Sequence, residues 1–323
     1  MAFGEMNTND NGGDMDVTVL GHILNERVIF PDHQLYPVLG SPAAYSSICL
    51  ARLGNKVGIV TKIGRDFPPE LLQALADAGV RQGGISFSDH SSRNELVYAA
   101  DGRKSIKFLS RADPISPSDI PAEYLRSRIV YVCPMDGEVD VSVLAHLRER
   151  GCCIVADLGG FGGATSAEHP PVKDGHVLAV VCPYLDVAKA SIEDLEYILG
   201  TTARDHARAA ELLTSWGARA VVVTRGREGA YVLSGGRNAS IPPYLLDSRR
   251  VIDPTGAGDC FASGFLASFV ESRDPFRAAV YGSAVTSCVI ERTGGASLAR
   301  MPRREEADAR ARELEARMQA CVA

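Results

Sequence analysis

The stretch IDPTGAGDCFASGFLASF, residues 252–269, sets an aspartate directly behind three small residues and ahead of an apolar run at helical spacing. Gly256, Ala257 and Gly258 leave the backbone unhindered, and from Asp259 onward apolar or small residues fall on every face of the predicted helix. A glycine-rich turn that opens a helix aims backbone N–H groups, and the positive end of the dipole, at whatever lies in front of it. Such a turn is an anion hole suited to a phosphoryl oxygen. A carboxylate fixed beside it repels a bound anion, so its presence needs a chemical reason. Asp259 has one if it takes the proton from a nucleophile that attacks phosphorus. The competing explanation is that Asp259 caps the helix and the glycines only turn the chain.

The common nucleotide fingerprints are missing. No Gly-Lys pair occurs, which excludes a Walker-type loop, and no G-x-G-x-x-G follows the first strand-like segment. The eight cysteines (Cys49, Cys133, Cys152, Cys153, Cys182, Cys260, Cys288 and Cys321) lie mostly in apolar runs with no metal or disulfide spacing. They are expected to be reduced core residues. None of the seven histidines has a partner at metal-ligand spacing.

The elements that must hold the 252–269 stretch are legible as an alternation. DVTVLG (16–21) predicts a strand, and SPAAYSSICLARLG (41–54) a helix with Ser41 as N-cap, Pro42 at the first position and Gly54 at the end. KVGIV (56–60) predicts a strand and PPELLQALADAG (68–79) a helix. The pattern resumes with strand-like RIVYVC (128–133), a helix at 141–150, CCIVAD (152–157), VLAVVC (177–182), helices at 191–199 and 207–216, and ARAVVVT (218–224). It implies a mostly parallel sheet with helices on both faces. Two β-rich stretches, about 25–39 and 86–110, lack intervening helices and are expected to pair into a small accessory sheet. Residues 1–15 read as a disordered polar leader, residues 16–323 as one domain, and the charged C-terminal tail as an exposed helix.

DPTGAGDCFASGFL resembles the C-terminal signature of the ribokinase-like (PfkB) carbohydrate and nucleoside kinases. LGSPAAYSSICLARLGNKVGIVTKIGRD is similar to the family's N-terminal glycine motif, helix and strand, and VVVTRGREGAYV to its T-x-G-x-x-G nucleotide turn. The resemblance covers about residues 16–302. It implies a three-layer α/β/α core with a small β-sheet lid formed by the two β-rich stretches. It also implies ATP and Mg²⁺ as cofactors, Asp259 as the catalytic base, and Gly256, Ala257 and Gly258 as the anion hole. Thr224, Gly226 and Gly229 would contact the nucleotide, with Ser283, Ala284 and Ser287 near the adenine. Asp253 matches the family aspartate near an activating monovalent cation, usually K⁺. The lid often serves as a dimer interface, so a homodimer through it is expected.

This sequence departs from the family in three places. The sugar-gripping aspartate falls on Glu26, with Asn25 just before it; the competing role is an exposed charge at the lid edge. The N-terminal motif is Gly40-Ser41 with Tyr45 in the place of an asparagine, where it would offer the substrate an aromatic face and a hydroxyl, or else be core. The N-x-x-E magnesium motif falls on Ser191 and Asp194 with Glu193 alongside, residues that N-capping explains equally well. Asp157 matches a strand-end position preceding the family's substrate or phosphate contacts.

A net charge of −6 carries no basic footprint for nucleic acid. No apolar run reaches the ~18–20 residues of a membrane span, and the acidic start is unlike a secretory signal, so a cytoplasmic protein is expected. The expected activity is ATP-dependent phosphorylation of a hydroxyl on a small sugar or polyol, in the manner of an inositol kinase. A nucleoside kinase of the same fold, with a base on Tyr45, is the alternative. A silent sugar- or nucleotide-binding regulator is the alternative outside enzymes.

Overall fold

In the computed structural model, which describes residues 15–100, 104–162, 175–200, 205–244 and 250–320, strands and helices alternate through most of the chain. The first half holds β1 (Val17–Leu20), β2 (Leu24–Ile29), β3 (Gln34–Gly40), α1 (Pro42–Arg52), β4 (Val57–Gly64), α2 (Pro69–Asp77), β5 (Arg81–Ser88), β6 (Arg93–Tyr98) and β7 (Lys104–Ser110). There follow β8 (Ile129–Val132), α3 (Val141–Glu149), β9 (Ile154–Asp157), α4 (His176–Val181), β10 (Val187–Ser191), α5 (Ile192–Leu199) and α6 (His206–Ser215). The chain continues with β11 (Ala220–Thr224), β12 (Ala230–Ser234), β13 (Arg237–Ile241), α7 (Ala257–Ser272), α8 (Pro275–Val289) and α9 (Arg304–Ala320).

Nine strands form one sheet in the order β13-β12-β11-β10-β9-β8-β1-β4-β5, parallel except where β12 and β13 pair antiparallel at one end. Successive residues of a strand point to opposite faces. Val17, Val19, Ile129 and Tyr131 accordingly join one core with α1, α7 and α8, while Leu20, Val130 and Val132 join the other with α3, α5 and α6. The result is the expected three-layer α/β/α arrangement. Strand order reverses at β1, which lies between β4 and β8, and the C-terminal ends of parallel strands at such a point form a crevice open to ligands.

The small sheet also forms, in the order β3-β2-β6-β7. It is mixed, since β2 and β6 run parallel. Residues 86–88 are not in it: they complete β5 at the edge of the large sheet, so the second lid segment begins after Ser88.

Three further expectations are corrected. VLAVVC is not a strand but the helix α4, whose Leu178 and Val181 are buried; the strand at this level is β10, the next apolar run. A short apolar run has no periodicity with which to tell the two apart. Met15 is buried against the core rather than belonging to a leader, while residues 1–14 lie outside the described residues. The helix α9 is charged on its outer side, yet Ala307, Ala311 and Leu314 are buried.

Candidate active site

The turn at 253–258 is built to hold one backbone shape. Gly256 has φ +73°, and a methyl group on it would come within 2.5 Å of the Tyr45 ring. Both the conformation and the contact require glycine. Asp253 Oδ1 accepts from the N–H of Thr255 at 2.9 Å, closing the loop before it enters α7. The N–H of Ala257 is consumed inside the turn by the carbonyl of Pro254 at 3.1 Å, so Ala257 does not supply the anion-hole donor expected of it. Gly258, second in the helix, has no carbonyl four residues back within α7, and its N–H faces the helix mouth with the dipole behind it. Asp259 sits half-buried in the first turn, and its carbonyl accepts from Ser263 Oγ at 2.7 Å.

Across the helix mouth lie the strand ends. Lys189 on β10 stands directly opposite Asp157 on β9 in the strand register, and its Nζ donates to Asp157 Oδ2 at 2.7 Å. Both are buried. Burial opposes the charge on Lys189, but Asp157, Asp259 and Asp194 outweigh it and hold the ammonium above the usual lysine range. A methyl group on Gly258 would lie 3.5 Å from Nζ, so the ammonium and the helix mouth address the same space. The sequence reading missed Lys189; its signal is a lysine inside an otherwise apolar, buried strand.

The lid supplies the third wall. Glu26 and Asn94 are opposite one another on β2 and β6, both buried, and Asn94 Nδ2 donates to Glu26 Oε1 at 2.9 Å. A methyl group on Gly40 would meet the Glu26 carboxylate at 2.6 Å, which is why glycine stands there. Glu26 is therefore no exposed lid-edge charge. Asn25 points to the opposite face of β2, so only one of the two neighbours belongs to the site. Tyr98, two residues beyond Leu96 on the Asn94 face, hydrogen-bonds through its hydroxyl to Thr255 Oγ1 at 2.6 Å and ties the lid to the 253–258 turn.

Tyr45 and Ser41 are placed differently from expectation. Tyr45 is 2% exposed, lies beneath Gly256 and accepts a hydrogen bond from Arg300 Nη1 at 3.1 Å. It shapes the floor of the turn and offers the substrate no face. Ser41 spends its hydroxyl on the N–H of Ala44 as the α1 cap, and at φ +98° it occupies a conformation that favours glycine.

On the nucleotide side, Gly229 has φ +82° and a methyl group on it would strike the carbonyl of Ile241 at 2.1 Å, while Gly226 has φ +53° in the same tight turn after Thr224. Ala284 is fully buried and Ser287 is engaged by Arg310 Nη1 at 2.9 Å, so neither lines an open surface. Ser283 is buried as well, whereas Thr286 on α8 and Ile290 just past its end are half-buried, and Ile252, which bonds through its N–H to the Ile290 carbonyl, is exposed beside them.

Asp194 is the N3 residue of a reciprocal capping box with Ser191. Its carboxylate also lies over Gly159, where a methyl group would come within 3.0 Å of Oδ2. Among the described residues no three His, Cys, Asp or Glu side chains gather at metal-ligand distances. One carboxylate at the strand ends suits Mg²⁺, which keeps its waters and relies on phosphate oxygens. Asp194 fits that role; Glu193 is exposed. A monovalent cation at Asp253 does not fit, because Arg300 Nη2 lies 3.3 Å from Asp253 Oδ2.

The family model for pfkB family carbohydrate kinases matches residues 38–301, which include the turn, the strand ends and the lid strands β6 and β7. The chain belongs to the pfkB family. Its relatives include a cytidine kinase of Thermococcus kodakarensis, 31% identical over 260 residues that cover 80% of this chain and 90% of the relative. An inositol 3-kinase of Arabidopsis thaliana is 25% identical, covering 86% of this chain and 74% of that protein. Among solved structures, a pyrophosphate-dependent ribokinase-family kinase complexed with a pyrophosphate analog and myo-inositol is 25% identical, with a TM-score of 0.72 over 91% of this chain and 99% of the other. Ribokinase of Arabidopsis thaliana, complexed with ribose and ATP, has the same fold, with a TM-score of 0.74 at 20% identity over 92% and 98% of the two chains. As a pfkB kinase the protein is a phosphotransferase acting on a hydroxyl group. Among the described residues no helix is long and apolar enough to cross a membrane.

Proposed function

We propose that this pfkB kinase transfers the γ-phosphoryl group of ATP to a hydroxyl of a small sugar or polyol, with Asp259 as general base. The observation that carries the proposal is the meeting of three walls. The Gly256–Gly258 turn, the Lys189 ammonium and the buried Glu26–Asn94 pair of the lid surround the mouth of the helix on which Asp259 sits. Glu26 and Asn94 grip acceptor hydroxyls. The chosen hydroxyl oxygen attacks the γ-phosphorus in line, the bond to the bridging oxygen of ADP breaks, and Asp259 receives the hydroxyl proton late in the transfer. The Gly258 N–H and Lys189 stabilise charge on the phosphoryl oxygens. Asp194 would hold Mg²⁺ through water, and the ion would supply positive charge against the polyphosphate. The adenine rests against Thr286 and Ile290 beside Ile252. Closure of the lid excludes water, which would otherwise take the phosphoryl group.

A nucleoside is the second reading. Its support is no longer Tyr45 but a cavity of 260 Å³ beside the lid, where Leu24, Phe108 and Met135 form an apolar wall with His22, Arg111 and Glu138 around it. The cytidine kinase relative agrees with it. A homodimer through the lid's outer surface is supported by the exposure of Tyr36 and Leu109.

The test is ATP and pyrophosphate consumption against a panel of sugars, inositols and nucleosides, followed by Asp259→Asn with the acceptor found. The variant keeps its fold and donor binding and loses ~10²–10⁴ in kcat. Near-normal turnover removes Asp259 from the mechanism. Ligand binding without turnover of any acceptor establishes the silent binder instead.

A further inference from the structure

Three oxygens of the 253–258 turn converge on one buried nitrogen. Arg300, whose side chain is fully buried, donates from Nη2 to the main-chain oxygens of Asp253 and Thr255, both at 2.8 Å, and the same nitrogen lies 3.3 Å from Asp253 Oδ2. Its Nη1 donates to the Tyr45 hydroxyl, and the guanidinium carbon lies 5.6 Å from the centre of the Tyr45 ring. Two carbonyls and a carboxylate from one short loop are the donor set with which proteins replace the hydration shell of an alkali cation. Here a tethered positive charge already meets all three. A metal ion cannot contact the same oxygens without displacing the guanidinium, and beside it would be repelled by like charge.

We propose that Arg300 is this chain's own permanently installed cation, standing where the family places a monovalent metal, and that both turnover and stability are therefore independent of K⁺. Arg300 touches no substrate. It is a positioning residue: by fixing the carbonyls of Asp253 and Thr255 from above and Tyr45 from below, it sets the turn that presents Gly256 and Gly258. The proposal rests on kinase activity of the family type, not on which acceptor is used.

The experiment measures melting temperature and kcat of the full chain in KCl, NaCl and choline chloride at equal ionic strength. For the natural sequence, melting temperatures agree within about 1 °C and turnover within about twofold, because a cation that binds only the folded state would raise both. Arg300→Ala leaves the carboxylate and carbonyls facing an empty space and melts about 5 °C lower. In that variant KCl raises the melting temperature and recovers turnover, and choline chloride does neither. Arg300→Lys keeps a charge in place and stays insensitive to K⁺. The proposal is overturned if KCl raises the melting temperature or turnover of the natural protein several-fold more than choline chloride, or if a folded Arg300→Ala protein ignores K⁺ in both measurements. Should Arg300→Ala yield no folded protein, the comparison on the natural sequence decides alone. The thermal arm needs no substrate, so a wrong acceptor and a wrong cation assignment give different results.

Discussion

Replacing Lys189 by methionine removes one charge and little volume, and the structure separates its two consequences. Nζ lies 3.5 Å from where a side chain would start at Gly258. An anion held by the Gly258 N–H therefore sits on the order of 5 Å from the ammonium, where an effective dielectric of about 20 makes the attraction worth about 3 kcal/mol. If that attraction is realised chiefly in the transition state, kcat falls about a hundredfold. The second consequence is for stability. Asp157 is buried and loses its 2.7 Å partner, which costs about 3–5 kcal/mol. In a protein of this size that lowers the melting temperature by about 4–7 °C. The double variant Asp157→Asn/Lys189→Met removes the orphaned charge, so it recovers most of the lost stability and none of the lost turnover. Coupled detection of ADP release gives kcat and KM for each variant, and thermal unfolding gives the other axis. A Lys189→Met enzyme within about threefold of the natural kcat refutes the assignment of Lys189 to phosphoryl stabilisation, whatever its melting temperature.

Tyr98→Phe deletes the hydroxyl that joins the lid to Thr255, a bond worth about 1 kcal/mol. It raises the acceptor KM about fivefold, leaves donor KM unchanged and moves the melting temperature by only a few degrees; steady-state kinetics with each substrate varied in turn check it. His22 is buried with Nδ1 on Ser92 Oγ and Nε2 on the Asp113 carbonyl, and burial, only partly offset by Glu138, lowers its pKa from 6.5. The folded state thus binds the proton less readily than the unfolded chain. Its contribution to stability is complete above pH 6.5 and is lost as pH falls through the lower, folded value. His22→Asn flattens the decline of melting temperature below pH 6.5, which a series of thermal melts across that range reads directly.

The layered core and the glycine turn ahead of α7 were legible because their signals are local. Ser41-Pro42 announces α1 within two residues, and it caps as expected. The glycines of the turn report their own backbone shape, and Gly256 bears that out with its positive φ. What escaped depends on partners far along the chain. Lys189 becomes a site residue only once the register sets it against Asp157. Tyr45 looked available to a substrate because nothing near it in sequence shows that Gly256 and Arg300 enclose it. The separation of Asn25 from Glu26 follows from strand alternation, which needs the lid strand to be assigned first. The helix α4 was misread for the opposite reason, since a six-residue apolar run contains too little pattern and its environment decides.

Arg300 meets Tyr45 across a separation of 255 residues. Every side chain assigned here to the transfer of phosphate precedes Arg300, so a chain cut just before it would hold the full set of reacting groups and lack the bond that closes the catalytic turn. During synthesis on a ribosome the consequence is temporal. Most of the sheet can assemble as it emerges, whereas competence waits for Arg300 to leave the exit tunnel and lock the first helix beneath the turn.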